Sequence, residues 1–317
     1  MKGTNQITNR DAKRIFAEFI AWEFIPSIYI DEYWDYYINL YNLNSTWESF
    51  LKQFTKDGFT YRIFLDEYNN ILNNAGDTLK DIFTSKLHLV DELNFTDNMP
   101  HTKFKDQDEG DYIYVDLHNA FDLALKRIGV FDEYKDTYDV INKFTKYDIF
   151  KNIKILRVNI YWKFFTNRTY ATIKKIVNQI LLEELYFSDA PILRQIDNTF
   201  QFIGKGSMDA FIYKIPEGAD PKSVIGDYTY NDIPFSIDVL KSRDIQMFGK
   251  KFKVNTIMNK DDNPVHIMLW CDDGLRKKIA PYPFAYKMSL GKELDEKDLA
   301  VGYDDQIFFH FDKSEIL

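Results

Sequence analysis

Tyr112-Ile113-Tyr114-Val115-Asp116 is an apolar run that ends on a carboxylate, and it is the segment from which the fold of this 317-residue chain is best predicted. A short apolar run bounded by polar residues indicates a buried strand. Leu117 to Ile128 then places apolar side chains at helical spacing, and Gly129 can end that helix. The pattern predicts that Asp116 lies at the carboxyl end of a strand. Capping of the following helix is the simpler explanation of a single such Asp.

Two later segments also place polar residues at the ends of predicted elements. Lys163 to Ala171 opens a predicted helix that continues to Leu185. We expect Ile192 to Ile203 to form a strand, a tight turn at Asp197-Asn198 and a second strand, since Asp and Asn tolerate the positive φ of short hairpin turns. That turn would hold the Asp197 carboxylate at its tip.

The order of these segments resembles the palm and fingers of family B DNA polymerases, over about Tyr112 to Val254. The family's first motif, Asp-x-x-Ser-Leu-Tyr after a strand, is similar to Asp116 to Phe121. Its second motif, Lys-x-x-x-Asn-Ser-x-Tyr-Gly on a helix, is similar to Lys163 to Ala171, where Arg and Ala replace Ser and Gly. Its third motif, Asp-Thr-Asp-Ser on a hairpin, is similar to Asp197 to Phe200.

The resemblance implies a nucleotidyltransferase that uses two Mg²⁺ or Mn²⁺ ions, with no proofreading exonuclease. Asp116 and Asp197 would be the catalytic metal ligands. The nucleotide-binding residues would be Lys163 and Asn167 at the triphosphate, Tyr170 against the nascent base pair, and Phe121 where the family excludes a ribose hydroxyl. A later Lys-Lys-aromatic segment of the family is similar to Lys250-Lys251-Phe252, so Lys250, Lys251 and Lys253 would contact nucleic acid, although a solvated strand edge explains these lysines equally well.

One departure from the family bears directly on catalysis. In the family the second Asp of the third motif is the stronger metal ligand, and Thr199 stands at that place here. A Thr hydroxyl cannot supply the missing charge. The alternative function is therefore a catalytically inactive, polymerase-derived protein that binds nucleic acid or serves as an assembly component of a virus. Asp304-Asp305, similar to the Tyr-x-Asp-Asp turn of reverse transcriptases, is a rival acidic site that a polar turn explains as well.

Charge and composition limit the remaining classes. The net charge is −9, which argues against a general nucleic-acid-binding protein. Residues 1–117 carry 20 acidic and 11 basic side chains, and residues 118–317 carry 29 of each, so the acidity belongs to the N-terminal part. The single cysteine excludes an intramolecular disulfide, and the five histidines show no zinc spacing. Without a long apolar run we expect no membrane partner and a cytoplasmic protein, in the host if viral.

The predicted fold class is α+β, in three consecutive parts. Residues 1–95 would form a helical domain that repels nucleic acid and offers a surface for a protein partner. Residues 96–215 would form a palm and fingers, with an antiparallel sheet covered by helices on one face. Residues 216–317, where the apolar pattern has period two, would be β-rich and complete the palm.

Overall fold

The computed structural model describes residues 2–26, 32–90, 106–207, 209–271, 276–278, 283–303 and 307–316. The class is α+β, as predicted, and the chain forms two compact units. Unit 1 comprises Met1–Thr96 and Ala120–Val177, and unit 2 comprises Asp97–Asn119 and Asn178–Leu317. The three consecutive domains expected from the sequence are therefore not the observed division, because residues 120–177 join the N-terminal helices.

Unit 1 is built from helices whose aromatic side chains face inward. Phe16, Phe54 and Phe64 are fully buried, and Phe64 stacks on Phe150 with a ring separation of 4.8 Å. Such pairs add about 0.5–1.5 kcal/mol beyond their buried area. The predicted N-terminal helices are thus confirmed. The helices are α1 (Lys2–Ile15), α2 (Trp34–Leu40), α3 (Asn44–Asp57), α4 (Tyr61–Val90), α5 (Ala120–Arg127), α6 (Thr137–Asn142), α7 (Lys154–Trp162) and α8 (Asn167–Gln179), whose last two residues belong to unit 2.

Unit 2 contains an antiparallel sheet with the strand order β2-β3-β1-β5-β6-β7-β8, and β4 pairs with β5. A second, two-stranded sheet is formed by β9 and β10. The strands are β1 (Gly110–Leu117), β2 (Gln201–Lys205), β3 (Ala210–Lys214), β4 (Gly226–Tyr230), β5 (Ile233–Met247), β6 (Lys250–Met258), β7 (Pro264–Cys271), β8 (Arg276–Lys278), β9 (Ala300–Tyr303) and β10 (Ile307–His310). The helices of unit 2 are α9 (Pro191–Thr199), α10 (Pro283–Ser289) and α11 (Lys313–Ile316).

Alternation along β1 separates two faces of the main sheet. Tyr112, Tyr114 and Asp116 point to the first face, and the first two join a buried apolar cluster with residues of the neighbouring strands. Ile113, Val115 and Leu117 point to the second face and are also buried. On that second face Tyr186, from a π-helical turn at Ile180–Tyr186, packs against Phe211 of β3. From Tyr112 to Val115 both faces of β1 are therefore apolar, and Asp116 follows at the carboxyl end.

The hairpin predicted at Ile192 to Ile203 is wrong, because residues 191–199 form helix α9. Pro191 occupies the first turn, where its missing N–H costs nothing, and its φ suits a helix. Leu193 and Ile196 are buried three residues apart, which is helical spacing. The hairpin that does form pairs β2 with β3, and Ser207 and Asp209 lie between these strands.

The single helix predicted from Lys163 onward is also wrong. Lys163 is the C-terminal cap of α7, and α8 begins at Asn167. Thr166 and Thr169 form reciprocal bonds at the start of α8: Thr169 N donates to Thr166 Oγ1 at 3.3 Å, and Thr166 N donates to Thr169 Oγ1 at 2.7 Å. These bonds satisfy two donors at the start of a helix and explain the break.

Among the described residues, no helix is both long and apolar enough to cross a bilayer. The linker expected at residues 94–110 falls largely outside the described residues, as does the Asp304-Asp305 turn. The strands on either side of that turn, β9 and β10, do pair in antiparallel fashion.

Candidate acidic site at the end of strand β1

Asp116 lies near the carboxyl end of β1, as predicted, and is partly exposed. Its register partners are Ala210 on β3 and Ser236 on β5, so these three side chains share the first face of the sheet. Both neighbours have small side chains. The sequence folds this way because the apolar run Tyr112 to Val115 is buried on both faces and ends at the first acidic residue.

A second carboxylate, Asp209, is carried by the turn between β2 and β3. Leu117 N donates to Asp209 O at 2.9 Å, which fixes the turn against the end of β1. Ser207 Oγ donates to Asp209 Oδ1 at 2.6 Å and so orients that carboxylate. The turn therefore places an oriented Asp next to the strand end that carries Asp116.

The hydroxyl of Tyr114 interacts with both acids. Tyr114 Oη donates to Asp116 Oδ1 at 3.1 Å, and the Ser207 side chain also interacts with it. Burial raises the pKa of Tyr114 well above its ordinary value, and the charges of Asp116 and Asp209 raise it further. This phenol stays protonated and can donate a hydrogen bond into an acidic site. Asp116 and Asp209 are thus brought together around one side chain.

A third acid, Asp238, lies opposite Tyr114 on the same face of the sheet. It accepts a hydrogen bond of 2.9 Å from Ser236 Oγ. Burial raises the pKa of Asp238 to about 6, with a further contribution from Asp227. Asp227 also lies 3.8 Å from His118 Nε2, but burial outweighs it and lowers the pKa of His118, so that the imidazole is neutral at pH 7.

The raised pKa of Asp238 predicts how stability depends on pH. Because the folded state holds this proton more tightly than the unfolded chain, the contribution of Asp238 to stability is greatest below pH 4 and is lost as the pH rises through about 6. We expect Asp238→Asn to raise the free energy of unfolding above pH 7 by about 1–2 kcal/mol, after allowance for partial exposure. Urea denaturation at pH 4, 6 and 8 measures this.

Asp244→Asn is the control with the opposite sign. Burial works to raise the pKa of Asp244, but Lys251 and Lys253 outweigh it and hold that pKa below its ordinary value. This variant should therefore lose stability at neutral pH. An Asp238→Asn protein that is less stable than wild type at pH 8 would contradict the prediction.

The prediction that Asp197 converges with Asp116 is wrong. Asp197 is exposed on α9, and its charge acts on Tyr213 and Tyr186: burial raises the pKa of both phenols and Asp197 adds to it. Tyr213 points to the second face of the sheet, because Ala210 on the same strand shares the first face with Asp116. Asp197 therefore acts on the second face of the sheet, whereas Asp116 lies on the first. The sequence motif placed these two acids together, and the fold does not.

Lys163 and Asn167 do not share a helix. Lys163 Nζ donates to Asn73 Oδ1 at 2.8 Å and lies 3.5 Å from Asp77 Oδ1, so the lysine is tied to α4. Gly76 permits this approach, since a Cβ there would lie 2.5 Å from the lysine stem. Asn167 is exposed at the start of α8. A joint role at a triphosphate would require Lys163 to leave these partners.

Phe121 and Tyr170, by contrast, do come together in unit 1. Their ring centroids are 6.1 Å apart, and Phe165 contacts both. Trp162, which the motif analysis did not single out, lies 5.1 Å from Tyr170 and is 53% exposed. The result is an aromatic group that reaches the surface on the α7–α8 pair.

The three candidate lysines lie on β6 near its hairpin with β5. Lys251 Nζ and Lys253 Nζ lie 2.7 and 2.6 Å from the two oxygens of Asp244, so both point to the same side of the strand, as alternation predicts. Lys250 is exposed next to the hairpin turn. Asp244 neutralises one of the two positive charges of Lys251 and Lys253. Contact between the three lysines and nucleic acid stays a prediction.

Asp209 was not predicted from the sequence, because the Asp197-Asn198 pair is the stronger local turn signal. The signal was present: Gly206-Ser207-Met208-Asp209 lies between the apolar runs Phe202-Ile203 and Ala210 to Ile215. Gly and Ser are common in turns, and flanking apolar runs indicate paired strands. The Pro before Ile192 was the corresponding sign that a helix starts there.

Among the residues that the structure describes, no group of three or more His, Cys, Asp or Glu side chains is arranged to hold a metal ion. Two carboxylates, Asp116 and Asp209, both act on the Tyr114 hydroxyl. Mg²⁺ is often bound through one or two carboxylates with substrate phosphates completing the shell, so a cation at this donor set would need further oxygen ligands from a substrate. No family model, curated protein or solved structure matches this chain, so its function has to be inferred from this geometry.

Proposed function

We propose that unit 2 carries the palm of a template-directed nucleotidyltransferase, similar to family B DNA polymerases, with Asp116 and Asp209 as its catalytic acids. One observation supports this most: the acid that ends β1 and the acid in the adjoining β2–β3 turn both act on the Tyr114 hydroxyl. A strand end beside a hairpin turn is the arrangement that the first and third motifs of the family require.

The third motif is better matched by Ser207-Met208-Asp209-Ala210 than by Asp197 to Phe200. In this alignment Asp209 stands at the second Asp of Asp-Thr-Asp-Ser, and Ser207 stands at the first. The stronger metal ligand of the family is then present, and Thr199 no longer marks a lost one. The weaker ligand is replaced by a hydroxyl that donates to Asp209.

In the proposed mechanism Asp116 and Asp209 would hold two divalent cations together with the incoming triphosphate. Such ions, when bound, would supply positive charge at the attacking oxygen and at the leaving phosphate. Tyr114 and Ser207 keep the two carboxylates oriented toward the same point, so that little reorganisation is needed when the nucleotide arrives. The raised pKa of Tyr114 keeps its proton available for this bond.

The second candidate function is nucleic-acid binding without catalysis. The observation that favours it is the small donor set, since no described group of three acidic, His or Cys side chains is arranged for a metal. With two carboxylates, cation binding in the absence of nucleotide should be weak.

Primer extension by the full chain separates the two. We expect slow, template-dependent extension of a labelled DNA primer with Mg²⁺, and faster extension with Mn²⁺, whose geometric demands are weaker. Thr199→Asp should leave the rate unchanged, because residue 199 ends α9, whose Asp197 acts on the opposite face of the sheet. If no primer is extended with either ion while the chain still binds DNA, the binding function replaces the catalytic one.

A further inference from the structure

The α7–α8 pair is basic in an otherwise acidic protein. The 34 residues between Asp148 and Glu183 contain seven Lys and Arg residues and no Asp or Glu, whereas the whole chain has a net charge of −9. A run of this kind raises the local positive potential and attracts polyanions. Composition alone does not identify the partner, so the positions of the charges decide what the surface can bind.

Some of these charges already have acidic partners. Lys163 lies 3.5 Å from Asp77, and Arg157 lies 3.9 Å from the buried Asp122. Lys174 and Lys175, on the outer side of α8, are exposed and make no ion pair with any residue that the structure describes. These two ammonium groups remain available to phosphates.

The available charges adjoin an aromatic pair in which Trp162 is exposed and Tyr170 is half-buried. Lys174 Nζ lies 5.4 Å from the ring centroid of Tyr170, and Tyr170 lies 5.1 Å from Trp162. Trp162 is 53% exposed, and large apolar side chains are rarely left so open among the described residues. An open indole beside unpaired lysines can stack an unpaired base while the lysines meet the backbone.

We propose that Trp162, Tyr170, Lys174 and Lys175, which we call the Trp162 surface, bind single-stranded DNA. A base stacks on Trp162, and the two lysines contact neighbouring phosphates. The choice of DNA rests on the proposed function, but the binding itself requires neither Asp116 nor Asp209. A duplex buries its base faces and a polyanion without bases has none, so the exposed ring favours a single strand over both.

The test uses the full chain and two fluorescein-labelled strands of equal length, oligo(dT) and an abasic strand with the same phosphates. Fluorescence anisotropy without divalent ions should show tighter binding of oligo(dT). Trp162→Ala should weaken oligo(dT) binding by about 5- to 100-fold, which is the loss of one stacked base, and leave the abasic strand unaffected. Trp162→Phe should recover most of the preference for oligo(dT) over the abasic strand, because Phe also presents an aromatic ring to a base.

The contribution of Lys174 and Lys175 is measured separately, by the salt dependence of binding. Lys174→Gln with Lys175→Gln should reduce the slope of log K against log salt by about 1.4 for both strands, because each phosphate contact on a single strand contributes about 0.7. Phe187→Ala is the matched control: this ring is 68% exposed in unit 2, and its loss should change neither strand's affinity.

Failure of this inference can be told apart from failure of the proposed function. Asp116→Asn should remove extension and leave oligo(dT) affinity unchanged. The inference is overturned if wild type does not prefer oligo(dT) to the abasic strand, or if Trp162→Ala weakens both strands equally or neither. Circular dichroism of each variant checks that the fold is retained.

Discussion

Asp116→Asn and Asp209→Asn should each reduce the rate of primer extension by more than about 100-fold. Loss of a residue that only supports a metal ligand costs about 10- to 100-fold, and loss of the ligand itself should cost more. Both changes remove a full charge from a site that must offset two cations and a triphosphate. Asn has nearly the same shape as Asp, so the Tyr114 and Ser207 contacts can persist and the fold is kept. Single-turnover extension with Mn²⁺ measures the loss with the best sensitivity.

Asp197→Asn is the matched control for these variants, because Asp197 is the residue that the sequence motif alone would have chosen. It is exposed on α9 and acts on Tyr213, on the second face of the sheet, so we expect wild-type extension. Tyr114→Phe should give an intermediate loss, since it removes only an orienting hydroxyl. If Asp197→Asn were inactive and Asp209→Asn active, the assignment of the acids would be wrong.

The largest expected effect on stability is that of Asp122→Ala in unit 1. Asp122 Oδ1 accepts hydrogen bonds of 2.6 Å from both Thr137 Oγ1 and Tyr161 Oη, and Arg157 Nη1 lies 3.9 Å from Oδ2. Removing the carboxylate takes this acceptor away from the buried hydroxyls of Thr137 and Tyr161. Each buried polar group that loses its partner costs about 1–3 kcal/mol, and guanidinium denaturation of the full chain measures the sum.

Asp132→Ala provides the control within the same unit. Asp132 is 65% exposed and pairs with Lys86 at 2.8 Å, and exposed ion pairs contribute at most about 1 kcal/mol. Equal destabilisation by the two variants would show that the buried network around Asp122 is not what stabilises unit 1.

The strand that ends on Asp116 could be predicted from sequence because its signal is local. A short run of four apolar residues favours a strand that is buried on both faces. β1 is such a strand, and it pairs with β3 on one side and β5 on the other. The aromatic helices of unit 1 were predictable for the same reason, since their apolar residues recur at helical spacing.

The position of the second acid could not be read from local pattern alone. Ile192 to Ile203 contains apolar residues that suit a strand or a helix, and the Pro at residue 191 together with burial of Leu193 and Ile196 decides for the helix. Only the pairing of β3 with β1 shows that the turn at Asp209 adjoins Asp116. Pairing between strands that are far apart in the sequence depends on the whole fold, and no fixed spacing of residues in the sequence indicates it.

The second motif shows a related limit. Lys163, Asn167 and Tyr170 have the spacing of one helix face, but the reciprocal Thr166 and Thr169 bonds start a new helix between the first two. Spacing in sequence translates into a shared face only where the helix is continuous. Trp162 was missed because an exposed indole looks like a core residue until burial is known.

Binding of Mn²⁺ to the full chain, followed by electron paramagnetic resonance, tests the central claim most directly. With a deoxynucleoside triphosphate and no primer, wild type and Asp197→Asn should hold Mn²⁺, whereas Asp116→Asn and Asp209→Asn should not. Without nucleotide, all four should bind weakly, since the protein offers few carboxylates. Retention of nucleotide-dependent Mn²⁺ in Asp209→Asn, with its loss in Asp197→Asn, would contradict a site built on Asp116 and Asp209.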